Sequence, residues 1–161
     1  MDLNKEKQLH FELVNDNNRQ EVKSLSLFSE QVGFIETVDE CLQEANEIKA
    51  WRPVGIYDRE QLVGFAMYGY FPEPAPGQLW LDRLLIDKKY QGQGYGRQSV
   101  LALLHRLYAE YGSETGTVYL SVYMDNSPAI RLYESIGFRF NGKYDSKGEH
   151  IMEYHFTEGR P

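Results

Sequence analysis

The segment Gln91-Gly92-Gln93-Gly94-Tyr95-Gly96-Arg97 lies between an apolar run, Leu79 to Ile86, and a long stretch of helical periodicity. Glycines 92, 94 and 96 carry no Cβ, so this loop can take positive φ and let a bulky ligand press against the main chain. The helix that follows aims its free amides and its positive dipole end at the same place. This is the chemistry of an anion site, and a phosphate-bearing cofactor is the ligand it fits.

Few other side chains stand out. Asp82 sits in the apolar strand among Trp80, Leu81 and Leu84, where a carboxylate needs a cationic partner or access to solvent. A substrate carboxylate and a structural ion pair, with an adjacent or neighbouring-strand arginine, both satisfy that need. Cys41 falls on the apolar face of a helix with no histidine near it in sequence, the setting of a small core residue. His10, His105, His150 and His155 lack metal-ligand spacing, so no metal is expected.

The elements that must position these residues can be followed along the chain. His10 to Val14 alternates like a strand, and Asn15 to Asn18 breaks it ahead of a helix over about 18–28. Thr37-Val38-Asp39-Glu40 has capping-box spacing, before a helix carrying Cys41, Ala45 and Ile48 on one face and expected to end near Trp51. Val54 to Tyr57 and Leu62 to Phe71 form a hairpin, which prolines 72, 74 and 76 stop. Leu79 to Ile86 is the central strand. Val100, Leu103, Leu104, Leu107 and Tyr111 repeat at helical spacing up to Gly112. Thr117 to Met124 is a further strand. Asn126-Ser127-Pro128 caps a short helix that stops at Gly137, and Phe138 to Tyr144 with Ile151 to Phe156 make a closing hairpin around Lys147-Gly148. The order β-α-α-β-β-β-α-β-α-β-β predicts a mixed α/β (α+β) sheet of six to seven strands with about four helices and one parallel crossover at the loop.

Composition bounds the function classes. The 161 residues suit one domain, 1–161, and 42% apolar with 14% aromatic residues provide a core without disulfides. A net charge of −7 disfavours a nucleic-acid partner and welcomes a cation, although ordinary solubility explains such acidity equally well. No apolar run approaches the roughly 20 residues of a membrane span, and the first residues lack the apolar core of a signal peptide. With a single cysteine, the expected setting is a reducing cytoplasm.

The glycine spacing separates the phosphate ligands. A Rossmann site needs Gly-x-Gly-x-x-Gly after the first strand and several βαβ units, and a P-loop needs Gly-Lys-Ser/Thr. Neither is present. Gln91-x-x-Gly94-x-Gly96 instead resembles the acetyl-CoA signature of the GNAT superfamily of N-acetyltransferases, and Asn126-x-x-Ala129-x-x-x-Tyr133-x-x-x-Gly137-Phe138 is similar to the second segment of that family. The superfamily resemblance spans roughly residues 54–156. A closer resemblance, to the Blt-type spermine/spermidine acetyltransferases of bacilli, adds Phe34-Ile35-Glu36, Cys41-Leu42, Pro53-Val54-Gly55, Val63 to Gly69, Phe71-Pro72-Glu73, Trp80-Leu81-Asp82-Arg83 and Phe140-Asn141-Gly142.

The resemblance implies a GNAT fold and direct transfer of an acetyl group from acetyl-CoA to a polyamine amine in a ternary complex. It places the pyrophosphate on the amides of Gly92, Gln93, Gly94, Tyr95, Gly96 and Arg97, with Gln91, Asn126 and Ala129 also at the cofactor. A solvated helix-start arginine accounts for Arg97 as well. The cofactor arm would pair like an extra strand with the main chain of Leu84, Leu85 and Ile86, through an opening at a bulge whose place the sequence does not give. Tyr133 matches the tyrosine near the sulfur, and a phenol of pKa about 10 can protonate a departing thiolate. Asp82 matches one acid of a substrate-binding pair whose other member is Leu81 here. Glu36 lies in a segment placed over the acceptor. Glu40 is explained by the capping box and Glu73 by a solvated loop. An aminoglycoside, a protein N-terminus or a small amino acid as acceptor, and a catalytically silent acyl-CoA-binding domain, remain alternatives. The family also implies a possible homodimer.

Overall fold

The computed structural model describes residues 6–28, 31 and 37–157. Its elements are β1 (Leu9–Leu13), α1 (Arg19–Lys23), α2 (Val38–Glu47), β2 (Trp51–Asp58), β3 (Gln61–Phe71), β4 (Gln78–Ile86), α3 (Tyr95–Tyr111), β5 (Thr117–Val122), α4 (Ser127–Ile136), β6 (Arg139–Tyr144) and β7 (His150–His155). The seven strands form one mixed sheet in the order β1-β2-β3-β4-β5-β7-β6, antiparallel except where β5 runs parallel to β4. The element order expected from the sequence is the one observed.

Two helices are shorter than expected. α1 ends at Lys23 rather than near 28, because the Ser24 hydroxyl bonds the Glu21 carbonyl and the chain then runs to Ser26, whose amide donates to Asp87 Oδ2 at 3.0 Å. α2 ends at Glu47, and Trp51 opens β2 instead of closing the helix. At its start the Glu40 amide donates to Thr37 Oγ1 at 3.1 Å, as capping-box spacing requires.

Each face of the sheet carries its own core. Val100, Leu103, Leu104 and Leu107 of α3 pack on Val54, Ile56, Leu79 and Leu81, while Val38, Cys41 and Leu42 of α2 pack with Phe65, Met67 and Leu85 on the other side. β4 changes phase between them. Tyr68 pairs with Leu81 and Met67 with Arg83, so Asp82 is an extra residue, a β-bulge. Leu79 and Leu81 face α3 before the bulge, and Leu84 and Ile86 do so after it.

The bulge lies where β4 leaves β5. The two strands pair only at Leu79 with Val118 and Trp80 with Tyr119, and beyond those positions they diverge. From Leu81 onward one edge of β4 opens onto a gap in the middle of the sheet.

Candidate active site

The open edge of β4 presents main-chain groups in a definite phase. The Asp87 amide donates to the Val63 carbonyl at 2.9 Å, so in an antiparallel ladder the groups of Leu85 also face β3, and those of Leu84 and Ile86 face the gap. The Gln91 side-chain Nε2 donates to the Ile86 carbonyl at 2.9 Å. Leu84, in both directions, and the Ile86 N–H remain available to a ligand lying along the strand.

The loop after β4 turns twice through positive φ, at Gly92 (76°) and Gly94 (86°), and Gly94 is the N-cap of α3. At both, a side chain would cost about 1–2 kcal/mol of backbone strain. Among the described residues no atom lies within 4 Å of where a Gly92 Cβ would stand, so they leave that face of the loop open. The amides of Tyr95, Gly96 and Arg97 begin the helix and have no helical acceptor.

Two contacts fix the loop. Gln91 and Gln31 exchange amide hydrogen bonds at 2.8 and 2.9 Å. The Tyr95 hydroxyl donates to Asp58 Oδ2 at 2.5 Å, and burial followed by that bond to a carboxylate pushes the phenol up to about 12. These side chains therefore hold the loop in place, leaving its main chain to bind.

A groove of about 350 Å³ follows this loop and the open edge, lined by Leu84, Leu85, Ile86, Gln91, Gly92, Gly94, Tyr95 and Gly96 on one side and by Asn126, Ala129 and Tyr133 on the other. Asn126 is the N-cap of α4, yet its side chain makes no capping bond. The side chains of Gln93 and Arg97 stay outside the groove lining: Gln93 bonds the Lys89 carbonyl at 3.2 Å and Arg97 the Ser135 hydroxyl at 2.7 Å. Glu36 lies outside the described residues.

On the other face of the sheet a second pocket of about 330 Å³ is lined by the aromatic rings of Trp51, Phe71 and Trp80 and by the polar residues Glu44, Asp82, Arg83, Ser121, Asp145, Lys147 and Glu149. The bulge puts Asp82 and Arg83, consecutive residues, into this one pocket, where they pair at 2.8 Å. The adjacent-arginine ion pair envisaged for Asp82 is thus formed inside a cavity. Asp145, Glu149 and Ser121 were missed in the sequence. The two acids look there like the solvated turn of a hairpin.

A third cavity of about 70 Å³ lies between the diverging strands and shares walls with both: Asn126 and Tyr133 with the groove, Asp82 and Ser121 with the second pocket. Tyr133 packs edge-on against Phe138, with ring centroids 5.7 Å apart, and its hydroxyl makes no hydrogen bond among the described residues. Burial pushes this phenol up to about 12. It stays protonated and offers its hydrogen to whatever enters from either side.

Comparison with known proteins agrees with this architecture. The model of the "Acetyltransferase (GNAT) family" matches residues 19–138. The chain is 41% identical over 148 residues to the "Spermine/spermidine N(1)-acetyltransferase" of Bacillus subtilis (strain 168), covering 89% of this chain and 96% of that protein. Two solved structures share the fold. An aminoglycoside acetyltransferase AAC(6')-Ib in complex with coenzyme A superposes with a TM-score of 0.75 at 20% identity, covering 92% of this chain and 95% of its own. A spermidine N-acetyltransferase from Vibrio cholerae in complex with CoA and spermine does so at 0.65 and 19%, covering 91% and 93%.

Proposed function

The chain belongs to the Acetyltransferase (GNAT) family, and from that premise we propose that it moves the acetyl group of acetyl-CoA directly to a primary amine of a polyamine, spermine or spermidine. The single observation that carries this reading is the cavity between the diverging strands. It shares walls with a groove rich in unpaired main-chain groups and with a pocket of carboxylates and indole rings, and Tyr133 lies on its wall.

The groove fits the donor. The amides of residues 92–97 suit a pyrophosphate, and the open edge at Leu84 and Ile86 suits an amide-bearing arm that adds to the sheet as a strand does. When bound, acetyl-CoA supplies an activated acetyl group and a thiol leaving group.

The second pocket fits the acceptor. Carboxylates hold ammonium groups, and the indole of Trp80, which also stacks on Tyr119 at 5.4 Å, offers a face to a cation. A linear polyamine has several charges along an apolar stem, and a pocket that mixes four acids with three aromatic rings offers partners for both parts. The identity of the polyamine as acceptor draws further support from the 41% identical Bacillus relative.

Tyr133 acts on the departing sulfur. A phenol held at about 12 is too weak an acid to protonate a free thiolate in water. In the same dry cavity the thiolate is also desolvated and more basic, so the hydroxyl stabilises the sulfur by a hydrogen bond and passes its proton as the C–S bond breaks. The test is spermidine-dependent release of coenzyme A thiol. Saturable release supports the reading. Stabilisation by acetyl-CoA without release, with spermidine or spermine, overturns the acceptor and leaves the donor site standing.

A further inference from the structure

The acceptor pocket contains two carboxyls to which the steps above give no part in proton transfer. Asp145 and Glu149 stand at the two ends of the turn between β6 and β7. Asp145 Oδ1 accepts the amides of Lys147 and Glu149, each at 2.9 Å, and the Asp145 amide donates to the Glu149 carbonyl at 2.9 Å. These bonds brace the turn, and the two carboxyls stand close enough to shift one another, Asp145 downward and Glu149 upward.

The sheet aims this pair. β7 lies beside β5 with His150 opposite Val122, so Glu149 comes to the end of β5, where the Ser121 hydroxyl donates to its Oε2 at 3.4 Å. Ser121 lines both the acceptor pocket and the gap that reaches Tyr133. A braced carboxyl pair thus stands beside the cavity that the acceptor nitrogen must enter to meet the donor.

We propose that Glu149, backed by Asp145 and Ser121, is the proton acceptor for the attacking amine. This rests on the polyamine reading of the site. A polyamine arrives as an ammonium and must lose a proton before its lone pair can attack. Burial raises the Glu149 carboxyl, the hydrogen bond and charge of Asp145 raise it further, and Arg83 and Ser121 pull it back, leaving it at about 7. The charged groups that line the pocket with it are Asp145 and Lys147 of its own turn, Asp82 and Arg83 of β4, and Glu44 of α2.

The proton account closes. One ammonium proton passes to ionised Glu149 and from there to solvent. The freed nitrogen pair forms the C–N bond at the thioester carbonyl as the C–S bond breaks. The sulfur takes the Tyr133 proton, and the second proton that nitrogen sheds on becoming an amide restores the phenol.

The experiment is the pH profile of kcat/KM for spermidine in the wild type, Glu149→Gln and Asp145→Asn, with acetyl-CoA binding checked for each. The wild type should rise through about pH 7. Glu149→Gln should lose that limb and about 10²-fold in kcat/KM near neutrality. Asp145→Asn should keep the limb and move it to lower pH, because the charge and hydrogen bond that raise Glu149 are gone; a structural role alone would not move it. A substrate-free readout accompanies this one. The folded value near 7 lies above the ordinary 4.5, so the stabilising contribution of Glu149 is present below about 4.5 and lost as pH rises through about 7. Glu149→Gln should therefore melt above the wild type at about pH 8, and that excess should vanish at about pH 4. A limb near 7 that survives in folded Glu149→Gln, or an unmoved limb in Asp145→Asn, overturns the proposal while the polyamine reading stands. A wild type inactive with spermidine and spermine overturns both.

Discussion

Tyr95 and Asp58 tie the anion loop to the β2–β3 hairpin: the first residue of α3 donates its phenolic hydrogen, at 2.5 Å, to the last residue of β2. Burial raises the Asp58 carboxyl, but the Tyr95 hydroxyl, the Gln8 amide and Arg59 outweigh it and hold the acid below its ordinary value. Tyr95→Phe is expected to cost about 1 kcal/mol, roughly 2–4 °C in melting temperature for a chain of this size. It should raise KM for acetyl-CoA with little change in kcat. A depressed carboxylate stabilises the fold above its ordinary value of 3.8 and loses that contribution as pH falls through the lower folded value. The gap between wild type and Tyr95→Phe in urea melts should accordingly narrow below about pH 4.

The hydroxyl of Tyr133 has no described partner to lose. Tyr133→Phe should leave melting temperature and acetyl-CoA affinity unchanged while kcat falls about 10²- to 10³-fold. Calorimetric titration beside steady-state rates separates these quantities. An equal loss of donor affinity would mean the residue packs against the cofactor and has no part in proton transfer.

For Asp82 the expected defect lies in the acceptor. Asp82→Asn removes a negative charge from the pocket proposed to hold the polyamine and takes away the ion-pair partner of Arg83 there; a charged contact is worth about 1.5–3 kcal/mol, so KM for spermidine should rise about 10- to 100-fold. KM for acetyl-CoA should not move. Initial rates with each substrate varied at saturation of the other will show which constant responds.

Much of this site can be read in the sequence because its parts are local. The glycine spacing from Gly92 to Gly96 encodes a loop conformation, and the apolar repeat from Val100 to Leu107 encodes the helix behind it. The bulge at Asp82 was not legible. It is a property of how β4 registers against Met67 and Tyr68, and a strand alone carries no record of its partner's phase. Asp145 and Glu149 escaped for a related reason. Polar residues around Lys147-Gly148 satisfy a hairpin turn by themselves, and only the insertion of β7 between β5 and β6 swings that turn over the gap. The overlong reading of α1 failed where Ser24 turned its hydroxyl back on the helix.

Gly92 tests the main-chain account of donor binding. Its φ of 76° with open space beyond means that an added methyl meets strain and no clash. Gly92→Ala should cost about 1 kcal/mol or somewhat more and weaken coenzyme A binding, the methyl lying on the face where a phosphate would approach. Thermal shift with and without coenzyme A measures both effects.

Two strand pairs, at Leu79 and Trp80, are all that stitch β4 to β5. The sheet is in effect two smaller sheets, β1 to β4 and β5 with β7 and β6, leaning together like the leaves of a half-open book whose spine is short. A donor laid along Leu84 and Ile86, as proposed above, would lend the inner margin hydrogen bonds that the polypeptide does not make for itself. On that proposed mode of binding, the donor would act as a mortise between the two halves, and saturating coenzyme A should slow limited proteolysis of the protein.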